Sequence, residues 1–360
     1  MSIDIFNNFY KGKRVLVTGH TGFKGSWLSI WLHELGANVI GVALDPYSEK
    51  DNYTLSGIGD RLLADIRADI RNGKLIKEIF AKYQPEIVFH LAAQPLVRLS
   101  YEIPVETYEV NVMGTIHVME AIRATTSVKV GIMITTDKCY DNNEQMNGYV
   151  ETDPFGGYDP YSSSKGAAEI AIQSWRRSFF NPDDYGKKHT VSLASVRAGN
   201  VIGGGDWALD RIIPDCIRAL EAGQEINIRS PKSIRPWEHV LEPLSGYMLL
   251  AMKMWNNPTK YCEGWNFAPE SESVSTVWEV AMELVKNFGH GELKDTSDPN
   301  AVHEAKLLML NINKAKTKLG WQPRMNMQQC MNLVADWYKR YKTENVYQLC
   351  IEEINKFTSY

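Results

Sequence analysis

The sequence has no apolar run as long as the roughly 18 residues that a membrane-spanning helix requires. The stretch YMLLAMKMW is too short and contains Lys253. The first residues, MSIDIFNNFYKGKRVLVTG, also lack the cationic start and the apolar block of a secretory signal peptide. We therefore expect a protein that has no membrane partner.

Cysteine is scarce, with five residues in the chain. Their number is odd and their spacing is wide, which fits neither a disulfide framework nor a zinc motif. The sequence therefore indicates a reducing, cytoplasmic location and no metal site. The five residues are Cys139, Cys216, Cys262, Cys330 and Cys350.

An excess of positive charge is absent as well, because the net charge is −4. No basic stripe is visible, which argues against a nucleic-acid partner. With 44% hydrophobic and 23% charged residues, the composition is that of a folded globular protein. The 360 residues suffice for a large core and for more than one structural unit.

Short apolar strands alternate with helical patterns in the first 200 residues. The segments RVLVTG, NVIGVALD, EIVFHLAA and VGIMITT have the pattern of buried strands. The alternation predicts an α/β fold with a Rossmann-type, doubly wound parallel sheet. Loops and helices follow, which predicts a smaller, mostly helical C-terminal substrate-binding domain. We place the two domains at 1–200 and 201–360 and expect some segments of the second to return to the first.

A glycine-rich turn, TGHTGFKG, joins the first strand to the first helix. Its glycines permit a tight turn and let a pyrophosphate approach the amides at the helix N-terminus. Asp45 ends the next strand, where a carboxylate can bind the ribose hydroxyls of adenosine, although an ordinary turn residue is the alternative. Because this carboxylate would repel a 2′-phosphate, the pattern predicts NAD rather than NADP. The predicted cofactor-binding residues of the turn are Gly19, Gly22, Phe23, Lys24 and Gly25.

Two further strand ends are expected to contact the same cofactor. Asp69 and Ile70 follow the third strand, where they would meet the adenine; a solvated aspartate is the alternative. Ala92 and Ala93 follow the fourth strand, and their small side chains would let the cofactor pass closely, unless they serve packing alone.

The segment YSSSK places Tyr161 and Lys165 on one face of a predicted helix. An ammonium group buried beside a phenol lowers the pKa of the phenol, which would make Tyr161 a base near neutral pH. Such a pair is common by chance, but here it follows a fifth strand that ends at Thr136. We predict that Thr136, Tyr161 and Lys165 act together in catalysis, with Tyr161 and Lys165 also contacting the cofactor.

These motifs resemble the extended short-chain dehydrogenase/reductases that act on nucleotide sugars, whose catalytic residues correspond to Thr136, Tyr161 and Lys165. More narrowly, the chain is similar to the CDP-glucose 4,6-dehydratases. The similarity covers nearly the whole chain and implies NAD as cofactor, a nucleotide-sugar substrate (CDP-glucose) and a homodimer. The segments that carry it are GHTGFKGSWL, AAQPLVRLSYE, DKCYDN, GGYDPYSSSKG, RAGNVIGGGDW and RPWEHVLEPLSGY.

The chain departs from other nucleotide-sugar 4,6-dehydratases directly after Thr136. Those enzymes have Thr-Asp-Glu at this strand end, whereas this chain has Asp137 and Lys138 after the threonine. The resemblance implies that Asp137 protonates the hydroxyl that leaves C6. Lys138 either removes the C5 proton or stays charged and stabilises the enolate; a surface ion pair of the two residues is the alternative.

The substrate residues are predicted mainly from the resemblance. It places Asn200 at the nucleotide diphosphate, and the guanidinium of Arg235 suits the same anion because it can bind it in a bidentate manner. Arg211 fits this role and a surface salt bridge equally well. The full predicted set is Gln94, Arg98, Asn200, Arg211, Arg235 and His303.

The predicted reaction is the NAD-dependent dehydration of CDP-glucose to CDP-4-keto-6-deoxyglucose, a hydro-lyase reaction. The resemblance implies that the product supplies dideoxyhexoses for bacterial surface polysaccharide (lipopolysaccharide O-antigen). A nucleotide-sugar 4-epimerase, a 4,6-dehydratase for another nucleotide and a non-catalytic NAD(H)-sensing protein remain alternatives, because the fold alone does not determine the activity.

Overall fold

The structure is a computed structural model that describes residues 3–270, 274–298 and 307–360. In chain order the strands are β1 Arg14–Thr18, β2 Asn38–Ala43, β3 Ala64–Arg67, β4 Ile87–His90, β5 Val130–Ile134, β6 Ser192–Ala198, β7 Asn200–Ile202, β8 Ile226–Ile228, β9 Ile234–Arg235, β10 Trp237–His239, β11 Gly264–Phe267, β12 Ser275–Thr276 and β13 Leu293–Asp295. The helices are α1 Phe23–Glu34, α2 Asn52–Ser56, α3 Gly73–Tyr83, α4 Val97–Glu102, α5 Pro104–Tyr108, α6 Thr115–Ala124, α7 Pro160–Ser178, α8 Ile212–Ala222, α9 Leu241–Asn256, α10 Val277–Phe288, α11 Met327–Arg340 and α12 Val346–Ser359. A π-helical turn, Glu109–Gly114, precedes α6.

Seven strands form one parallel sheet in the order β3-β2-β1-β4-β5-β6-β11. The chain moves outward from β1 to β3 and then crosses back to β4 on the other side of β1. The loops that follow β1 and β4 run in opposite directions and open a crevice at the carboxyl ends of these two strands. In sheets of this kind, ligands bind in that crevice. The predicted Rossmann-type, doubly wound sheet is confirmed.

A hydrophobic core covers each face of this sheet. Val15 and Val17 point into one core, and Leu16 between them points into the other, because successive side chains of a strand alternate. The first core is filled largely by α1, α9, α11 and α12, and the second by α3 and α6. The near-continuous apolar runs of the strand sequences follow from this burial on both faces.

The second half of the chain contributes to the main sheet as well as to the region above it. β11 pairs with β6 as the seventh strand, and α12 packs on α1, with the rings of Phe357 and Trp31 5.7 Å apart. The two-stranded pairs β7–β10, β9–β12 and β8–β13 accompany the helices of this half. The boundary between residues 200 and 201 stays a prediction.

The described helices include none whose length and apolar character would allow it to cross a membrane. All five cysteines are buried and form no disulfide.

Candidate active site

The turn between β1 and α1 leaves no room for side chains at two of its glycines. Gly19 has a φ of 75°, and a Cβ there would lie 2.7 Å from the backbone nitrogen of Ala92. A Cβ on Gly25 would lie 2.0 Å from the carbonyl oxygen of Gly19. No side chain caps the first amides of α1. These amides are therefore open to an anion, which is the arrangement that a dinucleotide pyrophosphate requires.

A cleft of 1110 Å³ lies at the carboxyl ends of β1, β4 and β5, between the glycine turn and the second half of the chain. It brings together most of the residues that the sequence predicted. The predicted residues that line it are Gly19, Gly22, Phe23, Lys24, Gly25, Asp69, Ile70, Ala92, Ala93, Gln94, Arg98, Thr136, Lys138, Tyr161, Lys165, Asn200, Arg211 and Arg235. Asp45 and Asp137 are not among the lining residues, and His303 lies outside the described residues.

Asp45 does not line this cleft. Its side chain is 88% exposed and accepts a contact of 3.2 Å from Nε of Arg67. Arg67 also donates to Asp65 at 2.5 Å and to the Tyr53 hydroxyl at 2.8 Å. The sequence pattern missed Arg67, because only the pairing of β2 with β3 brings the two residues together. The contact of Asp45 with a ribose stays a prediction.

Asp69 lines the cleft but is already engaged by its own loop. Its carboxylate accepts a hydrogen bond of 2.8 Å from the amide of Arg71 and one of 2.6 Å from the Arg71 guanidinium. Both bonds hold the carboxylate in place beside Ile70. Its contact with adenine stays a prediction.

The end of β5 places three polar side chains in contact. Oγ1 of Thr136 donates to Oδ1 of Asp137 at 2.9 Å, and Nζ of Lys138 lies 3.2 Å from the same oxygen. Asp137 is fully buried, and its Oδ2 has no hydrogen-bond partner among the described residues. The carboxyl thus lies behind Thr136 and Lys138, which border the cleft. The alternative of a surface ion pair is wrong for Asp137, although Lys138 is partly exposed.

Tyr161 and Lys165 lie in the first turns of α7, which Asp159 caps by accepting a hydrogen bond from the amide of Ser162. Burial raises the pKa of Tyr161 to about 12, and a hydrogen bond with Thr136 acts in the opposite direction. Burial lowers the pKa of Lys165 to about 8. The expected lowering of the tyrosine pKa is therefore not found, because desolvation of the phenolate outweighs the favourable contacts.

Lys24 points from the glycine turn into a buried polar cluster. Its Nζ donates to the hydroxyl of Tyr247 at 3.3 Å. Burial lowers the pKa of Lys24 to about 8, while the nearby carboxyl groups of Glu238 and Asp137 act in the opposite direction. Burial raises the pKa of Glu238, whose two oxygens lack a hydrogen-bond partner among the described residues. Sequence analysis missed Glu238, which reaches Lys24 only through the fold.

Some predicted substrate residues are already hydrogen-bonded to other protein groups, whereas others have a polar atom that is not. Gln94 bonds to the hydroxyl of Thr107 at 3.0 Å and to both backbone groups of Leu96. These contacts favour a role in shaping the cleft wall. Asn200, by contrast, has a buried Oδ1 without a hydrogen-bond partner in the described part of the chain.

The three predicted arginines are each held by a protein contact. Arg98 lies 3.7 Å from Asp210, and Arg211 donates to Asp206 at 2.8 Å. Arg235 is buried and donates to its neighbouring carbonyl at 2.9 Å. Their guanidinium groups are therefore positioned before any ligand binds. Asp206 and Asp210 were not found from the sequence, since neither shows a pattern that marks it as an arginine partner.

Comparison with known proteins agrees with this site. A family model described as GDP-mannose 4,6 dehydratase matches residues 16–334. A curated CDP-glucose 4,6-dehydratase from Salmonella typhimurium is 50% identical over 337 residues, which are 94% of this chain and 93% of that protein.

Solved structures with the same fold include two enzymes of different activity. A dTDP-glucose 4,6-dehydratase from Bacillus anthracis, solved with NAD, has a TM-score of 0.75 and 20% identity, and the match covers 91% of this chain and 97% of that one. A UDP-glucose 4-epimerase from Thermotoga maritima, solved with UDP-glucose, has a TM-score of 0.76 and 23% identity. The match covers 91% of this chain and 99% of that one. At these identities the likeness shows the fold alone.

Proposed function

The chain belongs to the GDP-mannose 4,6-dehydratase family, and from this membership we propose that it dehydrates CDP-glucose to CDP-4-keto-6-deoxyglucose with NAD as cofactor. The observation that carries the proposal is the placement of two functional groups at one end of the cleft. Tyr161 and Lys165 suit an oxidation, and Asp137 and Lys138 beside them suit an elimination. A 4-epimerase requires only the first pair.

The glycine turn fits the dinucleotide. The open amides at the start of α1 and the close approach of Gly19 to Ala92 leave a backbone surface for the pyrophosphate. Tyr161 and Lys165 border the same cleft, so they could contact a cofactor that is held by the glycine turn. When bound there, NAD would supply the hydride acceptor for C4 and the hydride donor for C6, so that the net reaction would consume no NAD.

The oxidation at C4 requires that a proton leave the C4 hydroxyl. In our proposal Tyr161 receives this proton, Thr136 holds the tyrosine hydroxyl by a hydrogen bond, and Lys165 supports the site as a nearby cation. The resulting ketone makes the C5 proton acidic, which prepares the elimination.

The elimination requires an acid for the C6 hydroxyl, because hydroxide is a poor leaving group. Asp137 is the proposed acid, and its proton reaches the cleft through Thr136 or Lys138, the two lining residues that its carboxyl contacts. Lys138 removes the C5 proton when neutral, or stabilises the enolate when charged.

The nucleotide part of the substrate is proposed to bind on the opposite wall. The side-chain NH2 group of Asn200 and the guanidinium groups of Arg211 and Arg235, which all border the cleft, are the proposed hydrogen-bond donors to the diphosphate. Gln94 and Arg98 form the edge of the site in this proposal. The choice of cytosine rests on the relative from Salmonella typhimurium.

The test is incubation with CDP-, dTDP-, UDP- and GDP-glucose, followed by mass spectrometry. We expect loss of one water from CDP-glucose and little conversion of the others. Preferential conversion of another nucleotide sugar would show that CDP-glucose is not the substrate. Formation of a 4-epimer without loss of water would establish an epimerase instead. No change in any substrate would favour a non-catalytic role.

Replacing Asp45 by Ala should weaken NAD binding by roughly 10- to 100-fold and narrow the preference for NAD over NADP. The carboxylate would no longer hydrogen-bond the ribose, and a lost bond to a charged group costs roughly 1.5–3 kcal/mol. Arg67, released from Asp45, would also be available to a 2′-phosphate. Titration calorimetry with both cofactors measures the effect, and Asp60→Ala, an exposed aspartate outside the cleft, is the matched control. Tighter binding of NADP by the native protein would contradict the assignment of Asp45.

We also propose a homodimer formed through α7 and the segment from the π-helical turn to α6. Apolar side chains on these segments are exposed, including Ile170 at 58% and Met113 at 46%. A second copy of the chain would bury them. Sedimentation equilibrium at micromolar concentration should give twice the monomer mass, and a monomer would contradict this interface.

The proposed site of action is the cytoplasm, where buried, unbridged cysteines such as Cys139 are common. There the product would supply deoxyhexoses for surface polysaccharide.

A further inference from the structure

A buried ion pair joins α7, the helix that carries Tyr161 and Lys165, to β6. The pair consists of Glu169 and Arg197, whose side chains are 0% and 1% exposed. Nε and Nη2 of Arg197 donate to the two carboxylate oxygens of Glu169 at 2.8 and 2.9 Å. Neither residue is among those that line the cleft. The pair can therefore act on a ligand only through the residues that it holds.

The carboxylate of Glu169 also binds the residue directly before Thr136. Oγ1 of Thr135 donates to Oε1 of Glu169 at 2.5 Å. The backbone amide of Thr135 donates to the carbonyl oxygen of Val196 in β6 at 2.9 Å. Thr135 is thus fixed to the sheet through its backbone and to α7 through its side chain. Movement of α7 along the sheet would break one of these two bonds.

The guanidinium of Arg197 binds the residue directly after the turn Asp137–Cys139. Its Nη1 donates to the hydroxyl of Tyr140 at 2.5 Å, and this hydroxyl donates to Oδ1 of Asn266 in β11 at 2.8 Å. The ion pair therefore holds the chain on both sides of residues 136–139. This segment contains Thr136 and the two residues to which we assign the elimination.

The helix α7 also contacts this segment through its backbone. A Cβ on Gly166, the residue after Lys165, would lie 2.6 Å from the carbonyl oxygen of Gly156 and 3.2 Å from that of Cys139. No side chain therefore separates the helix from the turn. At such a short separation, a small displacement of α7 changes the distance between Tyr161 and the segment 136–139.

Stability alone does not account for a buried ion pair of this kind. The desolvation of two charges can exceed their attraction, and replacement of such a pair by apolar residues is often neutral. Four hydrogen bonds to the Glu169 carboxylate have defined directions, however, and fix α7 relative to the strand ends that carry the donors. These donors belong to Thr135, Ser195 and Arg197.

We propose that the ion pair of Glu169 and Arg197 holds the segment 136–139 at both ends and so positions its catalytic groups against those of α7. Glu169 and Arg197 are positioning residues, because neither borders the cleft. The inference rests on the proposed function, in which both groups act on neighbouring carbons of one sugar. Groups that share a substrate in this way must be held to within about 0.5 Å of the productive geometry.

Thr135→Val tests the first end of the segment. Valine keeps the branched shape of threonine but loses the hydrogen bond to Glu169. We expect NADH formation from CDP-glucose in a single turnover to slow by roughly tenfold or more, since a displacement of about 1 Å can cost 100-fold. The apparent affinity for CDP-glucose should stay near native, and Thr135→Ser, which keeps the hydroxyl, should restore most of the rate. A native rate constant in Thr135→Val would overturn the proposal.

Ser195→Ala is the matched control. Oγ of Ser195 donates to the other oxygen of the same carboxylate at 2.8 Å, but the residue lies within β6 and is not among those that line the cleft. This variant also loses one neutral hydrogen bond to Glu169, yet both ends of the segment 136–139 stay held. It should form NADH at the native rate. Rates that fall together with the urea unfolding midpoint in both variants would assign the carboxylate to stability alone and overturn the proposal.

Tyr140→Phe tests the other end of the segment. Phenylalanine keeps the buried ring but lacks the hydroxyl that contacts Arg197 and Asn266. Because Asp137 and Lys138 lie on this side of the segment, loss of water from CDP-glucose should slow by roughly tenfold or more, as followed by mass spectrometry. A native rate of water loss would overturn the proposal.

Hydrogen exchange tests the positioning without a substrate. In Thr135→Val the amides of α7 should exchange with deuterium faster than in the native protein and in Ser195→Ala, because the helix is held less firmly on the strand end. Unchanged exchange in α7 would overturn the proposal. Failure of the proposed function would look different, since the native protein would then neither form NADH nor remove water from CDP-glucose, whatever the exchange of α7.

Discussion

Tyr161→Phe should abolish the oxidation of CDP-glucose, so that bound NADH does not appear after mixing. Phenylalanine retains the ring that fills the buried site but has no oxygen to receive the C4 hydroxyl proton. Loss of such a proton acceptor costs roughly 100- to 10,000-fold in rate. The rise of NADH absorbance in a single turnover measures the effect. The loss should not be rescued by more substrate, since the hydroxyl acts on the reacting bond.

The control for this variant is Tyr83→Phe, which changes a tyrosine at the end of α3 that does not line the cleft. It should oxidise CDP-glucose at the native rate. If Tyr161→Phe still formed NADH, another group would remove the C4 proton, and the proposed role of Tyr161 would be wrong.

Lys138→Ala should oxidise C4 but stop before water leaves, so that bound NADH accumulates and release of product falls by about 100-fold or more. The side chain borders the cleft and contacts the buried Asp137 at 3.2 Å, so it belongs to the group of residues to which we assign the elimination. Stopped-flow absorbance follows NADH, and mass spectrometry follows loss of water. Near-native turnover would remove Lys138 from the mechanism.

The matched variant Lys138→Arg separates the two proposed roles of this side chain. Arginine keeps the positive charge but does not deprotonate, so it can stabilise an enolate and cannot act as a base. If Lys138 is the base, Lys138→Arg should stall as Lys138→Ala does, and exchange of solvent deuterium into C5 should fall in both. Retained exchange together with substantial turnover in Lys138→Arg would assign the enolate role.

The sequence shows that Lys138 stands where other 4,6-dehydratases have glutamate. It does not show how the Lys138 and Asp137 side chains lie relative to each other. Adjacent residues at a strand end normally diverge, and the pattern TTDK is equally compatible with an exposed ion pair. In the structure the Asp137 carboxyl lies inward and Lys138 borders the cleft. Oγ1 of Thr136 and Nζ of Lys138 both contact Oδ1 of Asp137. This arrangement depends on the tight turn Asp137–Cys139 that follows β5.

The electrostatics of the site also depended on the fold. Helical spacing correctly placed Tyr161 and Lys165 at one cleft, but spacing contains no information about desolvation. In the structure the burial of Tyr161 outweighs its favourable contacts and raises its pKa. The lowering of the Tyr161 pKa that helical spacing suggested is therefore not found, since spacing does not report how deeply the phenol is buried.

The sequence by itself determined the alternation of strands and helices and the glycine turn, because these are local patterns of neighbouring residues, and the catalytic side chains stay predictions that rest on the family resemblance. Only the tertiary structure decided that Asp45 pairs with Arg67, that Lys24 points toward Glu238 and that Asp137 is buried behind Thr136. These relations join residues on different elements, and burial changes the free energy of a charge far more than its sequence neighbours do.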